Sequence, residues 1–200
     1  MIMGRKPLLL IFQGSAREGG NTETLCEISA RSAREFGMHT EIIHLKKLKI
    51  LPCKGCFSCS GKGICMSNKD DINKILAKMK KANAFIFATP VYFWNVSGLM
   101  KMFFDRLLPL LKFVKEGERM RIKSRVEGKN CAIIVVQEEE RSGKISIPLL
   151  FFKRNLEDFG LKMVGKLFVY GALLPGDVNK NKNAIKRAYL LGRRIAQYAQ

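Results

Sequence analysis

"AFIFATPVYFWNVSGLMKMFFDR", residues 84 to 106, carries one complete step of a fold in a single line. Ala84 to Ala88 is a short apolar run without polar alternation, which reads as a strand buried on both faces. Pro90 should end it, having no N–H to give to a ladder. Tyr92, Phe93 and Trp94 then occupy a loop, and Ser97 stands where a helix running to Leu111 needs its cap. Strand, loop and helix in that order predict one step of a parallel sheet covered by helices.

The same step recurs on either side. Apolar runs at Leu8 to Phe12, Glu41 to Leu45, Cys131 to Gln137 and Lys166 to Tyr170 read as strands. Helical spacing fills Asn21 to Phe36, Asp70 to Lys81, Ile145 to Phe159 and Asn183 to Ala199. Five strands alternating with five helices predict an α/β, flavodoxin-like, doubly wound five-stranded parallel sheet of order 2-1-3-4-5, with a cysteine-rich loop after the second strand. Two hundred residues, 47% of them hydrophobic, suit one domain over 1–200. Residues 112–130 are long for a connection and strongly basic, and are expected to form a mobile excursion or docking arm.

In such a sheet a ligand lies beyond the carboxyl ends of the strands, where strand order reverses. The loops after Phe12 and Ala88 therefore come under scrutiny. The first reads "QGSAREGGNTETL": Gly14 for a tight turn, hydroxyls at Ser15 and Thr22, a positive fork at Arg17, and a helix start near Asn21 whose free N–H groups suit a phosphate. Neither G-x-G-x-x-G nor a P-loop is present, and an ordinary helix cap reads equally from these residues. The second loop sets three adjacent aromatics beside the crevice, suited to walling a flat ring or to plain core packing.

"GSAREGGNT" followed by "TPVYFWNVSGLMKMFFDR" resembles the NADPH-dependent FMN reductase-like branch of the flavodoxin superfamily. The resemblance implies that Ser15, Arg17, Asn21 and Thr22 hold the FMN phosphate. It implies also that Pro90, Val91, Tyr92, Phe93, Trp94, Asn95 and Ser97 run past the ribityl chain and isoalloxazine. A third flavin loop is expected near 137–143, where "QEEERSGK" is an acidic and unfamiliar version.

Between the second strand and the second helix, Cys53, Cys56, Cys59 and Cys65 spell C-x2-C-x2-C-x5-C within residues 51–68. The first spacings match the run that bacterial ferredoxins wrap around a cubane. Structural zinc more often takes two C-x2-C pairs set about a dozen or more residues apart. A [4Fe-4S] cluster is the expectation, with zinc or a bare thiol loop as alternatives. Gly55, Gly61 and Gly63 would let the backbone fold tightly there, and Lys54 and Lys62 would offset cluster charge. The arrangement is similar to the iron-sulfur flavoproteins of the same branch. That similarity implies a homo-oligomer, with the cluster of one subunit near the FMN of a neighbour, and ferredoxin as a one-electron partner. Cys26 and Cys131 read as small buried apolar residues, and His39 and His44 as structural.

No general acid or base stands out, so electron transfer is the expected chemistry. A cluster-free NAD(P)H-dependent FMN or quinone reductase is the alternative. The charge of +19 suits an acidic carrier. Nucleic acid is a weaker reading of it, because no recognition motif accompanies the basic "RMRIKSR". No run reaches the length of a membrane span, the N-terminal apolar run lacks the form of a secretory signal, and clustered reduced thiols suit the cytoplasm.

Overall fold

The computed structural model describes residues 6–116, 118–139 and 145–199. Strands β1 (Leu8–Gln13), β2 (His39–His44), β3 (Ala84–Tyr92), β4 (Asn95–Val96), β5 (Leu111–Glu116), β6 (Arg119–Ser124), β7 (Asn130–Val136) and β8 (Lys162–Val169) alternate with helices α1 (Asn21–Glu35), α2 (Ile72–Lys81), α3 (Gly98–Asp105), α4 (Ser146–Asp158), α5 (Asp177–Lys180) and α6 (Lys182–Tyr198). The main sheet runs β2-β1-β3-β7-β8, all parallel, which is the expected 2-1-3-4-5 order of a flavodoxin-like fold.

The two-residue period of the strands sorts side chains onto opposite faces. Leu10, Phe12, Phe85 and Phe87 pack with α2, α3 and α4 in an aromatic core, where the Phe12 and Phe103 rings stack at 4.7 Å. Leu9, Ile11, Ala84 and Ile86 face α1 and α6. That layer is rich in alanine. A Cβ at Gly192 would lie 2.1 Å from the Ser29 carbonyl oxygen, so glycine sets how closely α6 approaches α1. Cys26 and Cys131 are fully buried in the core, as expected of small apolar residues.

Three elements depart from the sequence expectation. Strand β3 continues through Pro90 to Tyr92. By Pro90 the strand has run beyond its last partner on β1, the Gln13–Ala88 pair, so the missing N–H disrupts no ladder on that side. The helix after Ser97 stops at Asp105 rather than Leu111, because Pro109 has no N–H to give the Asp105 carbonyl and its ring would clash there, and a 3-10 turn at Leu108–Leu110 follows. The basic stretch 112–130, expected only as a mobile excursion or docking arm, carries regular strand structure. Its first part pairs β5 with β6 in an antiparallel hairpin, with Phe113 opposite Ile122. Glu116 bridges Arg121 at 3.1 Å and Lys123 at 2.9 Å, offsetting repulsion among the basic strand residues.

Candidate functional site

The crevice opens where β1 and β3 end. Gly14 donates its N–H to Ala88 at 2.8 Å, locking the two loops together, and a Cβ at Gly14 would sit 3.1 Å from that same carbonyl oxygen. The loop then curls on itself: Ser15 Oγ accepts from Arg17 N at 3.2 Å, and Glu23 accepts from Gly19 N at 2.8 Å. Helix α1 starts at Asn21 without a side-chain cap at Gly20. Its first-turn N–H groups therefore have no partner within the helix, at the positive end of its dipole. Ser15, Arg17 and Thr22 line a hollow of about 40 Å³ there, together with Pro90, Val91 and Tyr92. At the end of β1 Gln13 is fully buried, and neither amide atom finds a partner among the described residues. A hydroxyl pair, a guanidinium and open helix N–H groups form a donor set that fits a phosphate monoester.

Two of the expected contacts have other duties. Asn21 is buried and donates to the carbonyls of Ala172 at 3.1 Å and Leu174 at 2.9 Å, while accepting from Val178 N at 3.2 Å. Arg17 joins it by donating to the Leu173 carbonyl at 2.5 Å. Asn21 thus straps the loop after β8 over the crevice, and this loop went unnoticed in the sequence. Ser97 caps α3, accepting from Met100 N at 3.2 Å, and donates to Gly14 O at 2.6 Å. Its hydroxyl thereby braces the loop after β1.

The aromatic loop is a two-residue turn. Val91 pairs with Val96 and Tyr92 with Asn95, so that Phe93 and Trp94 alone connect β3 to β4. Their φ angles are 45° and 67°. Such left-handed pairs usually fall to Asn-Gly, because a bulky side chain costs about 1–2 kcal/mol in that region. The strain holds the rings outward: Phe93 is fully exposed and Trp94 half-exposed. They line a second hollow of about 380 Å³ with Val91, Tyr92, Gln137 and Glu138. A flat ring system fits that wall. The expected third loop lies largely outside the described residues, which stop at Glu139 and resume at Ile145.

The cysteine loop is irregular but tightly moored. Asn73 of α2 clasps Cys65 from both sides, accepting from its N–H at 2.7 Å and donating to its carbonyl at 2.9 Å. Asn68 donates to Pro52 O at 3.0 Å, and Arg125 to Gly61 O at 2.7 Å. Gly55, Gly61 and Gly63 all take positive φ, as does Phe57 at 52°. Cys53 and Cys56 are exposed, Cys65 partly buried and Cys59 buried.

The thiols sense one another. Burial first, and then the neighbouring Cys65, Cys53 and Cys56, push Cys59 up. Bonds from Ser58 and Ser67 bring Cys56 down to about 7. At Cys65 burial opposes the thiolate, but the N–H groups of Asn68 and Ser67 and the Arg106 guanidinium outweigh it and hold the pKa below the ordinary thiol value. Among the described residues, no three metal-ligating side chains converge at single-ion spacing. The donor set, four thiols in one loop with N–H groups aimed at sulfur, fits an iron-sulfur cubane, whose ligands stand further apart than those of one ion.

Sequence reasoning missed Arg106 and Asp70, which are buried and paired at 2.6 Å beneath this loop. The only signal was an arginine directly after the apolar run Met102–Phe104, "MFFDRL". Lys54 and Lys62, expected to offset charge at the sulfurs, are exposed to solvent.

Comparison with known proteins places this geometry. The model of a family described as NADPH-dependent FMN reductase matches residues 7–145. An iron-sulfur flavoprotein of Archaeoglobus fulgidus is 31% identical over 185 residues, covering 92% of this chain and 76% of that protein. A second from the same organism is 47% identical over 98 residues, 49% of this chain and 47% of its own length. Among solved structures, an NAD(P)H:quinone oxidoreductase from Methanothermobacter marburgensis superposes with a TM-score of 0.72 at 16% identity, over 95% of this chain and 98% of that one. That last likeness speaks for the fold alone. Among the described residues no helix is long and apolar enough to cross a membrane. With its crevice at the β1/β3 switch point and most of its length matched, the chain belongs to the NADPH-dependent FMN reductase family of flavin-dependent oxidoreductases.

Proposed function

We propose that the crevice binds FMN and that the loop 51–68 holds a [4Fe-4S] cluster on Cys53, Cys56, Cys59 and Cys65, making the protein an oxidoreductase that joins a one-electron carrier to a two-electron acceptor. The observation that carries the flavin assignment is the strained Phe93-Trp94 turn, which holds two rings toward solvent beside an uncapped helix N-terminus. Strain of this kind gathers where function needs a fixed geometry. Ser15, Arg17 and Thr22 would hold the phosphate, with Asn21 and Ser97 fixing the loops on either side. Pro90, Val91, Tyr92 and Asn95 would line the path to the ring. FMN, when bound, takes up electrons singly or in pairs, whereas a cubane passes one at a time.

The two relatives from Archaeoglobus fulgidus, both named as iron-sulfur flavoproteins, support the cluster assignment. An acidic, ferredoxin-type carrier would be drawn by the charge of +19. A homo-oligomer, a cytoplasmic setting and a single domain over 1–200 complete the proposal.

The family description favours a second reading, a cluster-free reductase taking hydride directly from NAD(P)H. The open wall at Phe93 leaves room for a second flat ring. Anaerobically purified protein separates the two. Iron and sulfide accompanying FMN, with reduction by ferredoxin outpacing reduction by NADPH, meets the first reading. Rapid FMN reduction by NADPH in iron-free material meets the second.

A further inference from the structure

Arg106 sits at the C-terminal end of α3, 2% exposed, and the side chain of Asp70, at the mouth of α2, is fully buried. The guanidinium forks onto the carboxylate, Nη1 to Oδ2 at 2.6 Å and Nη2 to Oδ1 at 3.2 Å. Nη1 also donates to the carbonyl of Leu51, and Nη2 reaches Cys65 Sγ at 3.3 Å. Asp70 accepts in addition from Leu51 N at 2.8 Å. One buried cation is thereby bound to both ends of the cysteine loop and to one of its sulfurs.

A buried ion pair is a poor device for stability alone, because desolvation offsets most of the attraction and apolar replacements are often neutral or better. What distinguishes this pair is its third partner. Lysine could not serve as well, since a planar fork is needed to meet a carboxylate and a sulfur together. We infer that Arg106 is a positioning residue for the proposed cluster: oriented by Asp70, it fixes the Cys65 sulfur and donates a hydrogen bond to it, raising the reduction potential of a cluster bound there. This rests on the cluster reading above. Hydrogen bonds and positive charge at sulfur favour the more negative, reduced form, which fixes the sign.

The experiment compares wild type, Arg106→Lys, and the double variant Arg106→Gln/Asp70→Asn, which leaves no charge unpaired in the interior. Each is purified anaerobically and assayed for iron, sulfide and FMN, and each is titrated reductively with the cluster followed by EPR. Far-UV circular dichroism and FMN content report folding. The expected result is wild-type FMN in both variants, with less iron per FMN and a midpoint potential shifted to more negative values. Arg106→Lys should show the smaller shift, and it carries the test if the double variant does not fold. Folded variants with wild-type iron and an unchanged potential would overturn the inference while leaving the cluster in place. Wild-type protein that takes up no iron on incubation with iron and sulfide would overturn the cluster reading and this inference together.

Discussion

Phe93 and Trp94 occupy backbone geometry that their own side chains disfavour. Replacing them with Asn-Gly, the pair that suits two left-handed positions, should stabilise the fold by about 1–3 kcal/mol in urea denaturation while weakening FMN binding at least tenfold in a fluorescence titration. A variant that gained stability and kept its affinity would remove the rings from the site. Asn21 gives a contrasting case. Asn21→Ala removes the side-chain partner of the Ala172 carbonyl and the Val178 N–H and one of two donors to the Leu174 carbonyl, and should cost about 1–3 kcal/mol as well as flavin affinity. Residue types in the two loops were legible in the sequence, because hydroxyls, an arginine and aromatics beside a glycine turn advertise a ligand. Their division of labour was not. Whether Asn21 faces a phosphate or a carbonyl depends on where the loop after β8 lies, some 150 positions along the chain.

At the scale of elements, α3 acts as a strut. Its eight residues span about 12 Å, with Ser97 fastened to the loop after β1 at one end and Arg106 to the cysteine loop at the other. The lower mooring titrates. Burial acts to raise the Asp70 pKa, but Arg106 and the N–H groups of Leu51 and Ile72 outweigh it and hold the carboxyl below its ordinary value. A depressed folded pKa means stability that is complete above the unfolded carboxylate pKa of about 3.9, and lost as pH falls through the folded value. Nearby Asp71, held low chiefly by Lys49 N and Lys74 although the Asp70 charge acts to raise it, is present in both proteins. Wild type should therefore lose more stability between about pH 5 and pH 2 than Arg106→Gln/Asp70→Asn, read as the urea midpoint at each pH. On the opposite face, Gly192→Ala would force α6 away from Ser29 and should cost about 1–3 kcal/mol or more, with no direct effect on either site. The helices and parallel strands were legible because their apolar periods are long. The hairpin was not, although Arg-Met-Arg-Ile-Lys at 119–123 does alternate, because charge masked the pattern and its strands lie outside the main sheet.

For the whole molecule, strand order followed from the alternation of strand and helix, and strand order alone located the crevice. Nothing in the sequence pattern brings residues 70 and 106 together. They meet because the loop before α2 and the end of α3 lie on the same face of the sheet, a fact of topology rather than of local spacing. The excess of 36 basic over 17 acidic residues acts at this scale too. The rate of reduction by an acidic ferredoxin should fall steeply as ionic strength rises and the Debye length shrinks below about 10 Å. A rate indifferent to salt would assign that charge another purpose. The most direct trial of the whole account is a cofactor count on oxygen-free wild type and Cys59→Ser. One FMN in each, with about four iron and four sulfide per chain in the wild type alone, is the predicted result. Yellow, fully active wild-type protein without sulfide, or loss of FMN along with Cys59, would contradict it.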